Sequence, residues 1–215
     1  MRTFVSVAFL LCILIIACSQ TSTSDSNVIY QKDSILENIF SLKDSVVIDI
    51  QPFDDVSEKL VNGVMIDLKK IYPYVELKKS VAIPKQAYYA PRNRYKADSL
   101  LIFLLKNTEK HHVVIGLTSK DISTTKGDVL DWGVMGLGFC PGNSCVVSTF
   151  RLNKSNISEQ LFKTCIHELG HTQGIGHCPD KGCFMRDAEG ENPTDEEKYF
   201  CHKCKAVLVS KGWIF

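Results

Sequence analysis

The run CIHELGHTQGIGHCPDKGCFM, from Cys165 to Met185, concentrates residue types that bind metals and move protons. His167 and His171 are four apart. On a helix that spacing stacks two imidazoles on one face, where they can fill two of the four tetrahedral positions of a Zn²⁺ ion. Glu168 follows the first histidine directly, so its carboxylate can reach a metal-bound water rather than the metal. Gly174 comes three residues after His171. Glycine tolerates positive φ, so it can end the helix and turn the chain back. That turn would bring His177 round as a third ligand and leave the fourth position to water. An HExxH pair alone recurs by chance. A third histidine and a glycine in register with it are hard to explain by packing.

A second set of ligand types overlaps the first. Cys178, Cys183, Cys201 and Cys204 form two close pairs. Four thiolates so spaced resemble a tetrahedral zinc site. Two disulfides are the alternative open to an exported protein. A C-x-x-C on a helix is poorly shaped for a purely structural disulfide, which favours zinc. Cys140 and Cys145 flank Pro-Gly-Asn-Ser, where a disulfide would clamp a hairpin tip. Cys165 reads as a small buried hydrophobe rather than a nucleophile. His111, His112 and His202 read as surface or loop residues. Six histidines in 215 residues are not the His-rich tract of a metal store.

These groups need a scaffold, and the composition supplies one. With 215 residues and 45% hydrophobic content, the chain suits a single globular domain, placed at 35–215. The net charge of +1 gives no reason to expect nucleic acid or a strongly charged partner. The N-terminus is read as a targeting segment. Arg2 starts it, Phe4 to Ala17 is apolar but short for a membrane span, and Ile15-Ile16-Ala17-Cys18 resembles a bacterial lipoprotein signal box. Residues 1–17 would be removed, Cys18 would carry lipid, and 18–34, including the polar run SQTSTSDS, would be a tether. The expected location is the cell envelope, lipid-anchored after export.

Along the domain, helices and strands alternate, with a weak helical stretch at 35–40. Val46 to Ile50, Val75 to Lys79 and Val113 to Leu117 read as strands. A helix after Asp55, with Asp-Val-Ser-Glu as capping box, carries Val56, Leu60, Val64 and Leu68 as its apolar stripe. Ala82 to Arg94 reads as loop and Tyr95 to Lys106 as a second helix. Gly133 to Phe139 and Val146 to Arg151 read as a hairpin joined through Cys140 and Cys145. Its edge could accept a peptide as an added antiparallel strand beside the metal. Asn156 with Glu159 opens the zinc helix as a second capping box, and Ile157, Leu161, Cys165 and Leu169 form its inward stripe. A final helix runs from Asp195 to Val209. The pattern predicts an α/β fold, a small mixed sheet with an antiparallel edge strand packed on helices.

HExxHxxGxxH followed by a methionine is the metzincin pattern. With Cys178, Cys183, Met185 and Cys201-x-x-Cys204 added, the run resembles the archaemetzincins. Weaker likeness extends to Gly116-Leu117-Thr118, Asp121 and Val147 to Leu152. The resemblance implies an α+β zincin-like fold, with His167, His171 and His177 as ligands of a catalytic zinc. It implies Glu168 as general base and acid, and Met185 as the Met-turn beneath the histidines. Cys178, Cys183, Cys201 and Cys204 would hold a structural zinc, making two Zn²⁺ per chain. The expected function is hydrolysis of peptide bonds by a zinc-bound water with Glu168 as base, in a monomer acting on peptide or protein substrates. The alternative is an exported, non-catalytic zinc-binding scaffold lipoprotein. An intact Glu168 and an open fourth position weigh against it.

Overall fold

A computed structural model describes residues 46–215. The signal, Cys18, the tether and the helical stretch at 35–40 lie outside the described residues. Strand β1 (Val47–Pro52) leads to helix α1 (Glu58–Ile71) and strand β2 (Val75–Leu77). The short strands β3 (Tyr88–Tyr89) and β4 (Arg94–Lys96) precede helix α2 (Ala97–Lys106) and strand β5 (His112–Thr118). Then come β6 (Ile122–Lys126), β7 (Val129–Val134), β8 (Gly136–Gly138) and β9 (Ser144–Ser148). Helix α3 (Ile157–Thr172) and helix α4 (His202–Val209) complete the order. None of the described helices is long and apolar enough to cross a membrane.

The main sheet has the order β2-β1-β5-β9-β8. Its first four strands are parallel and β8 runs antiparallel at the edge, the mixed sheet expected. Strand periodicity splits the core in two. Val113, Ile115, Leu117, Cys145 and Val147 face α1 and α3, joining Val64, Leu68, Leu161 and Leu169. Val114 and Val146 face the other way, with Leu100, Leu101 and Leu104 of α2. A Cβ at Gly116 would lie 2.6 Å from a Leu104 methyl, so glycine there lets α2 seat closely on β5.

Several boundaries differ from expectation. Helix α1 is capped by Ser57, whose side chain accepts from Leu60 N. Asp55 instead accepts from Thr118 Oγ1 at 2.7 Å, tying the helix entry to β5. The segment read as loop at 82–94 holds β3, and β4 takes Tyr95 and Lys96 from the expected second helix. With β6 and β7 they make a second sheet, β3-β4-β6-β7. The expected strand at Gly133 to Phe139 is divided: Gly133 and Val134 belong to that second sheet, and 136–138 to the first. The final helix starts only at His202. Residues 198 and 199 stay extended, because Lys198 N and Tyr199 N both donate to Gly182 O and Tyr199 O accepts from Phe184 N.

Candidate active site

Helix α3 separates its two jobs by face. Leu161, Cys165, Ile166 and Leu169 are sealed in the core, while Thr164, His167 and His171 line a cleft of about 650 Å³. The expected capping box is not made. Asn156 Nδ2 donates to Asp195 Oδ1 at 2.5 Å, and Glu159 pairs with Lys163 at 2.7 Å. The helix ends where expected. Gly174 takes φ +89, and the turn brings Ile175 O within 2.7 Å of His171 Nδ1.

His167 Nδ1 lies 2.6 Å from Phe184 O. A carbonyl can only accept, so both imidazoles carry their proton on Nδ1 and leave Nε2 as a lone pair. Those two Nε2 atoms face each other at 3.0 Å. Neutral lone pairs at that separation repel unless a cation lies between them. A proton is a poor candidate, because burial, helped by His171, pushes His167 down to about 3. The donor set therefore fits a metal ion. His177 completes it: one ligand nitrogen from each histidine lies within 4.8 Å of the others. His177 Nδ1 is 3.3 Å from Asp187 Oδ2, a carboxylate placed to orient the ring.

Glu168 is 6% exposed and opens on the same cleft. Burial alone pushes its carboxyl up to about 8. Strand β8 lies against it. A Cβ at Gly136 would sit 2.5 Å from Glu168 Oε1, and one at Gly138 would sit 3.0 Å from Glu168 O. Two glycines on the edge strand thus make room for the acid. Gly170, between the histidines, does the same for Met185: an added Cβ would lie 2.4 Å from its Sδ. Met185 is fully buried against the helix that bears the histidines. Arg151, also on the cleft, makes a two-pronged contact with Asp121 at 3.0 Å for each bond.

The four C-terminal cysteines also converge, with sulfur atoms all within 4.8 Å of one another. Cys178 Sγ and Cys201 Sγ are 3.6 Å apart, far from the ~2.05 Å of a disulfide. Tetrahedral zinc with Zn–S of about 2.3 Å needs sulfurs roughly 3.8 Å apart, so the set fits that ion. Cys201 sits at the head of α4, where the Cys204 backbone N–H draws its thiol down to about 7. Cys178 N donates to Met185 O at 2.7 Å, which joins the two clusters.

Other expectations fare differently. Cys140 and Cys145 are free thiols. Cys145 belongs to the face of β9 that packs on α3, whereas Cys140 is exposed and donates to Ile175 O at 3.5 Å. A disulfide would have to pull Cys145 out of the core. Cys165 is buried, and its thiol is raised by burial. His112 is not a loop residue: it opens β5, with Nδ1 2.9 Å from the buried Asp49. Asp187, Gly136, Gly138 and Gly170 join the site through tertiary contacts that the local spacing does not predict. A Gly-x-Gly edge ahead of an HExxH helix was the available signal.

The profile of Peptidase family M54 matches residues 25–210. The archaemetzincin of Methanopyrus kandleri is 36% identical over 135 residues, covering 61% of this chain and 75% of the relative. That of Haloarcula marismortui is 28% identical over 176 residues, covering 75% and 99%. Among solved structures, the M. kandleri archaemetzincin superposes with TM-score 0.66 at 30% identity, over 78% of this chain and 96% of that one. The Archaeoglobus fulgidus archaemetzincin, solved with malonate, gives TM-score 0.65 at 28% identity, over 75% and 99%.

Proposed function

The chain belongs to peptidase family M54 and is a zinc metallopeptidase, and from that premise we propose that Glu168 is its general base and acid beside a zinc held by His167, His171 and His177. One observation carries the reading: two Nε2 lone pairs 3.0 Å apart share a cleft with a buried carboxylate. When bound there, zinc supplies a Lewis acid that activates water and polarises a scissile carbonyl. The carbonyls of Phe184 and Ile175 hold the two rings with Nε2 free for the metal. Burial of Glu168 raises its proton affinity, which suits a group that takes a proton from water at a carboxylate oxygen and returns it to the leaving amine. Strand β8 ends the main sheet, and a peptide can add to that edge in antiparallel fashion next to Glu168. The decisive test is Glu168→Gln. Metal content should be unchanged and peptide turnover lost. A variant as active as the wild type overturns the assignment.

A second zinc at Cys178, Cys183, Cys201 and Cys204 is part of the same reading, supported by their sulfur spacing. Metal analysis should return two zinc ions per chain, with the four thiols protected until chelation. One zinc with those cysteines oxidised overturns it. Export and lipidation at Cys18, placing a monomer at the cell envelope, are supported by the N-terminal sequence. Mass analysis should find an acylated Cys18, absent in Cys18→Ser. An unmodified N-terminus on the full chain in its own host overturns this.

A further inference from the structure

The cleft has a second buried carboxylate that the proposed chemistry does not use. Glu197 is 3% exposed and lines the cleft together with Thr164, His167 and Thr194. Among the described residues no hydrogen bond or ion pair reaches it, and burial pushes its carboxyl up to about 7. Two cations act on it from a distance, Lys163 and Arg186, and each is committed elsewhere. Lys163 Nζ is 2.7 Å from Glu159 and donates to Thr194 O at 2.9 Å. Arg186 Nη1 is 2.6 Å from Glu196. An acid so enclosed, with no partner among the described residues, is costly, and its carboxylate oxygens, which are not fully buried, open on the cleft.

Glu197 follows the 194–196 turn, whose Thr194 O accepts from Lys163 Nζ, one helical turn before His167. Glu197 shares one cleft with His167 and Glu168, so a peptide held against the histidines passes it. Asp187, Glu189 and Glu191 also line the wall. Of its cations, Arg151 is matched by Asp121, Arg186 by Glu196, and Lys126 lies over the Trp132 ring.

We propose that Glu197 is the anionic end of a specificity subsite that takes a cationic group of the peptide, a lysine or arginine side chain or a free α-ammonium, close to the scissile bond. This rests on the peptidase reading above. The bound cation supplies the partner that the fold withholds, and a neutral isostere leaves the acid buried and unmatched.

The test uses zinc-loaded wild type and Glu197→Gln with matched short peptides. Each carries lysine, arginine, norleucine or citrulline at successive positions, with the N-terminus free or acetylated. In the wild type, kcat/KM should favour the cationic member by about tenfold to a hundredfold at one position, and Glu197→Gln should bring that ratio towards one. Loss on acetylation alone identifies the α-ammonium; loss on norleucine substitution identifies a side chain. A wild-type ratio near one throughout, or a ratio unchanged in Glu197→Gln, overturns the inference. If zinc-loaded wild type cleaves none of the peptides, the peptidase reading is what fails on that set. Calorimetric binding of the same peptides to Glu168→Gln then decides the subsite. Tighter binding of cationic peptides, erased by adding Glu197→Gln, supports it; equal or absent binding overturns it.

Discussion

His177 and Cys178 are adjacent in the chain, yet they serve opposite kinds of cluster. The histidines offer three donors, half-buried or exposed, at the wall of a cleft. Each ring is steered by a group outside the cluster, and an acid stands beside them. The cysteines offer four donors, two of them buried, laced by Cys178 N to Met185 O and Cys201 N to Cys183 Sγ. No acid or base belongs to that set. A metal with an open position does chemistry, whereas a metal closed by four protein ligands holds chain segments together. The histidine cleft should therefore be dispensable for folding and essential for turnover, and the cysteine cluster the reverse.

The largest expected effect tests that contrast directly. Cys183→Ser or Cys204→Ser should cost on the order of 5 kcal/mol or more, because metal binding energy at a structural site is folding energy. Thermal melting with metal analysis reads it. His167→Ala should lower turnover by about a thousandfold or more while the melting temperature moves far less. Equal destabilisation by both changes would break the comparison.

The next effect lies inside the cleft. In Gly136→Ala the new methyl would meet Glu168 Oε1 at 2.5 Å, so the carboxylate or the edge strand must move. A displacement of about 1 Å can cost about a hundredfold, so kcat/KM should fall by that order with zinc content intact. Unchanged kinetics would mean that Glu168 does not need its present position. Gly170→Ala comes third. Its methyl would meet Met185 Sδ at 2.4 Å, and overpacking of this kind costs about 1–3 kcal/mol. Met185 lies between the clusters, so both stability and turnover should drop. A loss confined to one would show the clusters to be uncoupled.

The sequence made the metal site legible because its spacing is local: helical pitch places His167 and His171, and Gly174 places the turn. The strands around Val47–Pro52 and His112–Thr118 were equally plain, being β-branched and bounded. The second sheet was hidden for physical reasons. Its longer strands, ISTTK and VLDWGV, are polar or exposed for much of their length, so no apolar alternation marks them. Gly133 to Phe139 looked like one strand because the switch of sheets at Met135 leaves no proline or polar break. The last helix is shorter than the sequence pattern predicts because its start is set by backbone bonds to Gly182, seventeen residues away in sequence from Tyr199. Glu197 was unreadable for the same reason: in the run TDEEKYF only tertiary burial distinguishes it from Glu196.

That burial yields the smallest prediction, and it sharpens the contrast between a cleft built for function and a cluster built for stability. The Glu197 carboxyl is raised from 4.5 to about 7, so the folded state holds a proton more tightly than the unfolded chain. Its contribution is fully present below pH 4.5 and is lost as pH rises through 7. Above that range the ionised carboxylate opposes folding. Screening by water in the cleft discounts the effect to roughly 1 kcal/mol. Glu197→Gln cannot ionise, so it should be more stable than wild type at pH 8, and the gain should shrink by pH 5. Denaturant unfolding of the zinc-loaded protein at the two pH values measures this. A gain independent of pH would mean that folding does not raise the Glu197 carboxyl, and a loss that grows with pH would mean that it has a cationic partner. A gain that vanishes at pH 5 would mark it as an acid the fold keeps at its own expense, whereas serine at Cys183 or Cys204 should only destabilise.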